Sequence, residues 1–188
     1  MTAENEGSEV APRLTAADVL NHNGTTHHVY RVEINASMER IWAAITDPEW
    51  TVRYGYRGRV QMEHRVGGEY LVHKPKGLHV AGDDGPTPAP EVLVTGIVTE
   101  YESPRRLGIL MRFLIDNETA AEPATHVSYE VDPVSDAQCS LTIVHDVDGA
   151  PRLSAVVSGA LRDRGAGGGH PSMLADLKRL LEGDDDVR

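Results

Sequence analysis

The chain has 188 residues, 40% of them hydrophobic, which suits one domain with a real core plus tails and would be a squeeze for two. With 29 acidic against 18 basic residues the net charge is -11, which argues against a nucleic-acid surface and against docking on an anionic membrane. The single cysteine, Cys139, excludes an internal disulfide, no Cys/His spacing resembles a zinc site, and no motif calls for a metal or other cofactor, so a reduced cytoplasm is the expected setting.

The N-terminus, MTAENEGSEVAPR, lacks the basic start and apolar stretch of a signal peptide, and no apolar run approaches membrane-spanning length. Residues 1–26 read as a flexible polar tail that buries too little to offset the entropy of ordering. Thr15 to Asp18 has the form of a capping box, but so short a helix has nothing to pack on. One domain is expected over residues 27–183, followed by an acidic tail over 184–188.

Strand alternation begins at His28, with Tyr30, Val32 and Ile34 on one face and Arg31 and Glu33 on the other. Ser37 suits an N-cap, and Met38, Ile41, Trp42 and Ile45 recur at helical spacing until Asp47-Pro48 ends the pattern. VQMEH and EYLVH, joined across Gly67-Gly68, predict a hairpin. Residues 74–91, with four prolines and three glycines, are expected to form a mobile loop. EVLVTGIVTEY, LGILMRFLI, HVSYEVD and SLTIVHD predict four more strands in a mostly antiparallel sheet. LGILMRFLI is apolar almost throughout, which predicts cover on both faces.

After Pro151, the residues Leu153, Val156, Val157, Ala160 and Leu161 keep helical spacing. A second helix is predicted from Pro171, with Met173, Leu174, Leu177, Leu180 and Leu181 on one stripe and a stop at Gly183. Between them runs GAGGGH, Gly165 to His170. It is no dinucleotide fingerprint, because His170 stands where the third glycine belongs and no strand precedes it, and it lacks the GK[ST] of a phosphate loop. Its glycines read as a hinge into the last helix.

The order of elements is α+β, with a long amphipathic helix that must bury its stripe on a sheet. INASMERIWAAITDPEW, HRVGGEY, GIVTEYESPRRL, HVSYEVDP, SLTIVHD and GGHPSMLADLKRLLE, spread in order over residues 29–182, resemble the successive landmarks of the START-like (SRPBCC) superfamily, in particular its AHSA-type branch. That resemblance implies a helix-grip fold: a curved antiparallel sheet wrapped around the C-terminal helix, with a cavity between them that often takes an apolar ligand. The family usually carries Gly-Trp where Gly169-His170 stands, so a titratable ring replaces a large apolar one.

The candidate ligand-binding residues follow from chemistry and alternation. Trp50, Tyr54 and Tyr56 place three of nine aromatic residues within seven positions, each an apolar body with a polar tip, although aromatics more often pack cores than line sites. Met111, Phe113 and Tyr129, and likewise Tyr70, alternate to face one side of their strands, as cavity lining and solid core both require. His145 ends a strand and cannot form a dyad with Asp146, which points to the other face. His170 and Leu174 join the set from the last helix. No catalytic arrangement can be nominated. The expected partner is a hydrophobic small molecule, with aromatic and polyketide-like compounds as one class; the oligomeric state is left open. The resemblance also implies three alternatives: a polyketide cyclase or aromatase using His145, Tyr54 or His170; a chaperone ATPase-activating module; and self-sacrificing resistance to an enediyne antibiotic, cleaved at a strand glycine such as Gly96 or Gly108. Only three of the basic residues are lysine and Ala and Gly abound, the habit of GC-rich bacterial genomes, to which such secondary metabolism belongs.

Overall fold

The computed structural model describes residues 18–22, 25–82 and 85–183. Among these, the elements run β1 (Asp18–His22), β2 (Thr25–Ile34), α1 (Met38–Thr46), α2 (Pro48–Thr51), β3 (Arg59–Met62), β4 (Glu69–His73), β5 (His79–Gly82), β6 (Gly85–Pro88), β7 (Val92–Glu102), β8 (Arg106–Phe113), α3 (Asn117–Ala121), β9 (Thr125–Ser135), β10 (Gln138–Asp146), α4 (Pro151–Val157) and α5 (Gly169–Gly183). Eight strands form one antiparallel sheet in the order β1-β2-β10-β9-β8-β7-β4-β3, and β5 pairs with β6 as a separate hairpin. The sheet is curved and α5 packs on it, which is the helix-grip α+β fold.

Local chemistry sets most of the boundaries. Ser37 accepts a hydrogen bond from the Arg40 N–H and starts α1; Asp47 ends it and caps α2, with Pro48 at the first helical position. Alternation on β2 turns Tyr30, Val32 and Ile34 inward, where they meet Leu174, Leu177 and Leu181 of α5 in one core. All three leucines are fully buried, each contributing about 2 kcal/mol of hydrophobic stabilisation. Lys178 reinforces the docking by donating to the Glu33 carbonyl at 2.7 Å.

Several expectations change. β1 lies within the stretch read as tail and pairs with β2, so the ladder reaches back to Asp18; Thr15 to Ala17 and the acidic tail lie outside the described residues. The stretch read as a mobile loop over 74–91 holds the hairpin β5-β6, closed by backbone bonds from Lys74 to Glu91 and from Ala89 to Leu78. β8 is not covered on both faces: Leu110 and its ladder partner Ile97 are 42% and 52% exposed, on the face opposite the buried Leu107, Ile109 and Met111. The helix after Pro151 stops at Val157, because the chain turns at Gly159 with φ +79°, and Ala160 and Leu161 fall outside it. α5 starts at Gly169, two residues before Pro171. α3 was not foreseen; a reciprocal capping box between Asp116 and Thr119 holds it.

Candidate functional site

A cavity of about 410 Å³ opens between the sheet and the N-terminal end of α5. That lies within the roughly 300–1,000 Å³ typical of small-molecule sites. Strand register builds its wall. Tyr70 on β4 pairs with Gly96 on β7, Gly96 with Met111 on β8, and Met111 with Thr125 on β9; beside this row runs Val72, Val94, Phe113. Tyr70, Val72, Val94, Met111 and Phe113 all line the cavity, as do Val127 and Tyr129 one register step further on. Gly96 sits where a side chain would intrude, and a Cβ there would meet the Leu110 carbonyl oxygen at 2.6 Å. Close backbone approach accounts for that glycine, while at Gly108 a Cβ would crowd side chains of β7, meeting Thr99 Oγ1 at 2.8 Å and Glu100 Cβ at 3.0 Å.

At one end of the cavity the sheet brings histidines together. His28 and His145 are ladder partners on β2 and β10, and His170 in the first turn of α5 reaches the same place. His145 Nδ1 and His170 Nε2 are 3.0 Å apart, and His145 Nε2 lies 2.9 Å from Thr125 Oγ1. One nitrogen of the pair must donate and the other accept, so both rings are accommodated neutral with one shared N–H. His28 is held separately, between Tyr30 Oη at 2.8 Å and Ser154 Oγ at 2.9 Å. Burial pushes His170 down to about 4, and pushes His145 well below the ordinary imidazole value, with His170 beside it adding to the shift. At neutral pH the pair offers an uncharged polar contact to whatever fills the cavity. As a general base it is far from the matched value near 7.

The tyrosines supply the rest of the polarity. Tyr54 donates to the Ala44 carbonyl at 3.0 Å, whereas the hydroxyls of Tyr70 and Tyr129 make no hydrogen bond among the described residues. Burial raises all three phenols, Tyr129 to about 12, so they stay protonated and can donate.

The rim is the glycine stretch. Tyr56 donates to the Ala166 carbonyl at 3.1 Å and accepts from the Gly169 N–H at 3.0 Å, tying the turn after α2 to the chain entering α5. Contact is so close that a Cβ on Gly167 would lie 2.7 Å from the Tyr56 ring, and one on Gly169 would collide with the Val157 carbonyl oxygen. Both glycines also hold positive φ, +78° and +64°. The stretch is therefore a fitted rim more than a slack hinge.

Of the sequence candidates, Tyr54, Tyr56, Tyr70, Met111, Phe113, Tyr129, His145 and His170 stand on the cavity wall. Trp50 does not: it is half-buried at the core's edge, with the Arg53 guanidinium 4.6 Å from its ring centre. Leu174 is fully buried in the core, one position beyond Met173, which does reach the cavity. Sequence reasoning missed His28, Thr125 and the arginines Arg57, Arg152 and Arg164. His28 was legible, since it shares the face of Tyr30, Val32 and Ile34 by strict alternation. A second hollow of about 530 Å³, between α1 and Pro104, is an open groove lined by Trp42, Asp47 and His64 among others. Among the described residues no cluster of His, Cys, Asp or Glu is arranged to hold a metal, and no helix is long and apolar enough to cross a membrane.

The profile of the family described as Activator of Hsp90 ATPase homolog 1-like protein matches residues 35–182. No curated protein is similar enough in sequence to count as a relative. Among solved structures, the chain is similar to CalU16 from Micromonospora echinospora, with TM-score 0.55 and 18% identity over 87% of this chain and 78% of that one. It is also similar to PFC0360w, an HSP90 activator from Plasmodium falciparum, with TM-score 0.55 and 16% identity over 82% and 95% of the two chains. A protein from Arthrobacter aurescens gives TM-score 0.57 and 18% identity over 84% and 86%.

Proposed function

The chain belongs to the family of activator of Hsp90 ATPase homolog 1-like proteins, of the SRPBCC type, and from that premise we propose that it binds a hydrophobic small molecule, aromatic or polyketide-like, in the cavity between sheet and α5. The observation that carries this reading is the wall itself: aromatic and apolar side chains broken by the hydroxyls of Tyr70 and Tyr129, unpaired among the described residues, and by the neutral His145–His170 pair. Such a lining offers area for a flat apolar body and a few fixed polar groups for its oxygens. Saturable one-to-one binding of N-phenyl-1-naphthylamine, and its displacement by a hydroxylated anthraquinone such as emodin, test the reading. Tyr129→Phe should weaken emodin more than the hydrocarbon-like probe. Absence of saturable binding by either compound would end it.

A cyclase-like enzyme is the second reading, favoured by the hydrogen-bonded His145–His170 pair on the cavity wall. The depressed basicity of His170 weighs against it, and turnover of a polyketide by the purified protein would reverse that order. The enediyne reading has less support, because Gly96 and Gly108 both have a packing reason to be glycine. Site-specific chain scission after exposure to an activated enediyne, read by mass spectrometry, would restore it.

A further inference from the structure

Charge on the cavity lining runs against the charge of the molecule. In a chain of net charge -11, the lining holds three arginines, Arg57, Arg152 and Arg164, and one carboxylate, Asp116. Arg152 is occupied: its guanidinium lies 3.0 Å from Asp116 Oδ2 and 3.0 Å from Glu118 Oε2. Arg57 and Arg164 are exposed and make no side-chain hydrogen bond or ion pair among the described residues.

The fold brings these two together. Arg57 follows Tyr56 directly, and Arg164 precedes Ala166 by two residues; the Tyr56 hydroxyl joins the two segments by bonding Ala166 and Gly169. Arg57 also holds φ +54°, a left-handed conformation that a long side chain seldom adopts, although a glycine stands next to it at Gly58. A strained non-glycine residue at the edge of a cavity is the kind of feature that function retains. We propose that the ligand is amphipathic: an apolar, aromatic body lies in the cavity, and an oxyanion head, carboxylate or phosphate, sits at the rim between Arg57 and Arg164.

The chemistry is specific to guanidinium. Two planar, permanently charged forks present several N–H donors to an oxyanion without needing to be buried, and they raise the local concentration of anions over an otherwise acidic surface. This inference rests on the cavity reading, so its test must separate the two. N-phenyl-1-naphthylamine and 1-anilinonaphthalene-8-sulfonate share one aromatic scaffold and differ in the sulfonate, which stands in for the oxyanion head. Both are titrated by fluorescence into the full chain and into the Arg57→Gln/Arg164→Gln double variant.

The expected result is one-to-one binding of the sulfonate, weakened as salt rises from about 50 to about 500 mM. In the double variant the ratio of sulfonate to neutral affinity should fall on the order of tenfold, and the salt dependence should flatten. Displacement of the sulfonate by 1-naphthyl phosphate or by 1-naphthaleneacetate then says which oxyanion is preferred. An unchanged ratio and salt slope in the variant, with the neutral probe still bound, overturns the anionic head and leaves the cavity reading standing. Failure of both acids to displace the sulfonate overturns it equally. If the neutral probe does not bind the native chain, the cavity reading falls, and this inference with it.

Discussion

Lowering the pH from 7 toward 4 should destabilise this protein through His170. In the folded chain burial lets His170 take up a proton only near pH 4, whereas a solvated imidazole does so near 6.5. Below 6.5 the unfolded chain therefore binds a proton that the folded chain refuses. The stability is fully present above 6.5 and is lost progressively as the pH falls to about 4. A gap of roughly 2.5 units, at about 1.4 kcal/mol each, amounts to about 3 kcal/mol for this one proton, or about 6–12 °C of Tm in a chain of this size. His145 shifts in the same direction and is bonded to His170, so the two titrate as a pair and the loss is shared between them. Urea unfolding of the native chain and of His170→Phe between pH 4.5 and 7.5 isolates the effect, because carboxylate titration is common to both. The variant should lose a slope of about 1.4 kcal/mol per pH unit below 6.5. It should also be about 1–3 kcal/mol less stable at pH 7, where His145 Nδ1 loses its partner, but that is an offset and not a slope. Identical slopes in the two proteins would refute the argument that His170 is held neutral by burial.

Two further outcomes concern the frame around the cavity. Gly169→Ala places a Cβ against the Val157 carbonyl and 2.6 Å from the Gly159 nitrogen at a left-handed φ, and neither neighbour is a movable side chain. A loss of about 3 kcal/mol in chemical denaturation is expected, and a neutral result would mean that the rim is slack after all. Glu122→Ala removes the carboxylate that accepts the Arg152 and Leu153 N–H groups at 2.6 and 2.9 Å and so caps α4 in place of its own N-cap residue, Ala150. It should cost about 1–3 kcal/mol and speed amide exchange at those two residues; unaltered exchange would show that α4 needs no such cap.

β2 to β4 and β7 to β10, α1 and the stripe of α5 were readable from local chemistry, because alternation, 3.6-residue spacing and caps such as Ser37 and Asp47 act between near neighbours, whereas β1 and the β5-β6 hairpin were not. Inward alternation likewise assigned Tyr70, Met111, Phe113 and Tyr129 to one face of the sheet. Core and cavity demand the same residue types, so the pattern could not say whether that face was filled. Only the packing of α5 and the rim at a distance from the sheet leaves the space open. Trp50 misled for the same reason: an aromatic residue near a site looks like one within it, and the helix end at Asp47-Pro48 turned this one to the core's edge. The remaining features join residues far apart in the chain. His145 meets His170 across 25 residues, and Tyr56 meets Gly169 across 113, bringing Arg57 and Arg164 to one rim. By itself the sequence determined the α+β class, through the order and periodicity of its elements, and its resemblance to a known family implied the helix grip. Tertiary structure decided the site, because a hydrogen bond or a rim between distant residues exists only once strand register and helix docking have set the distance between them.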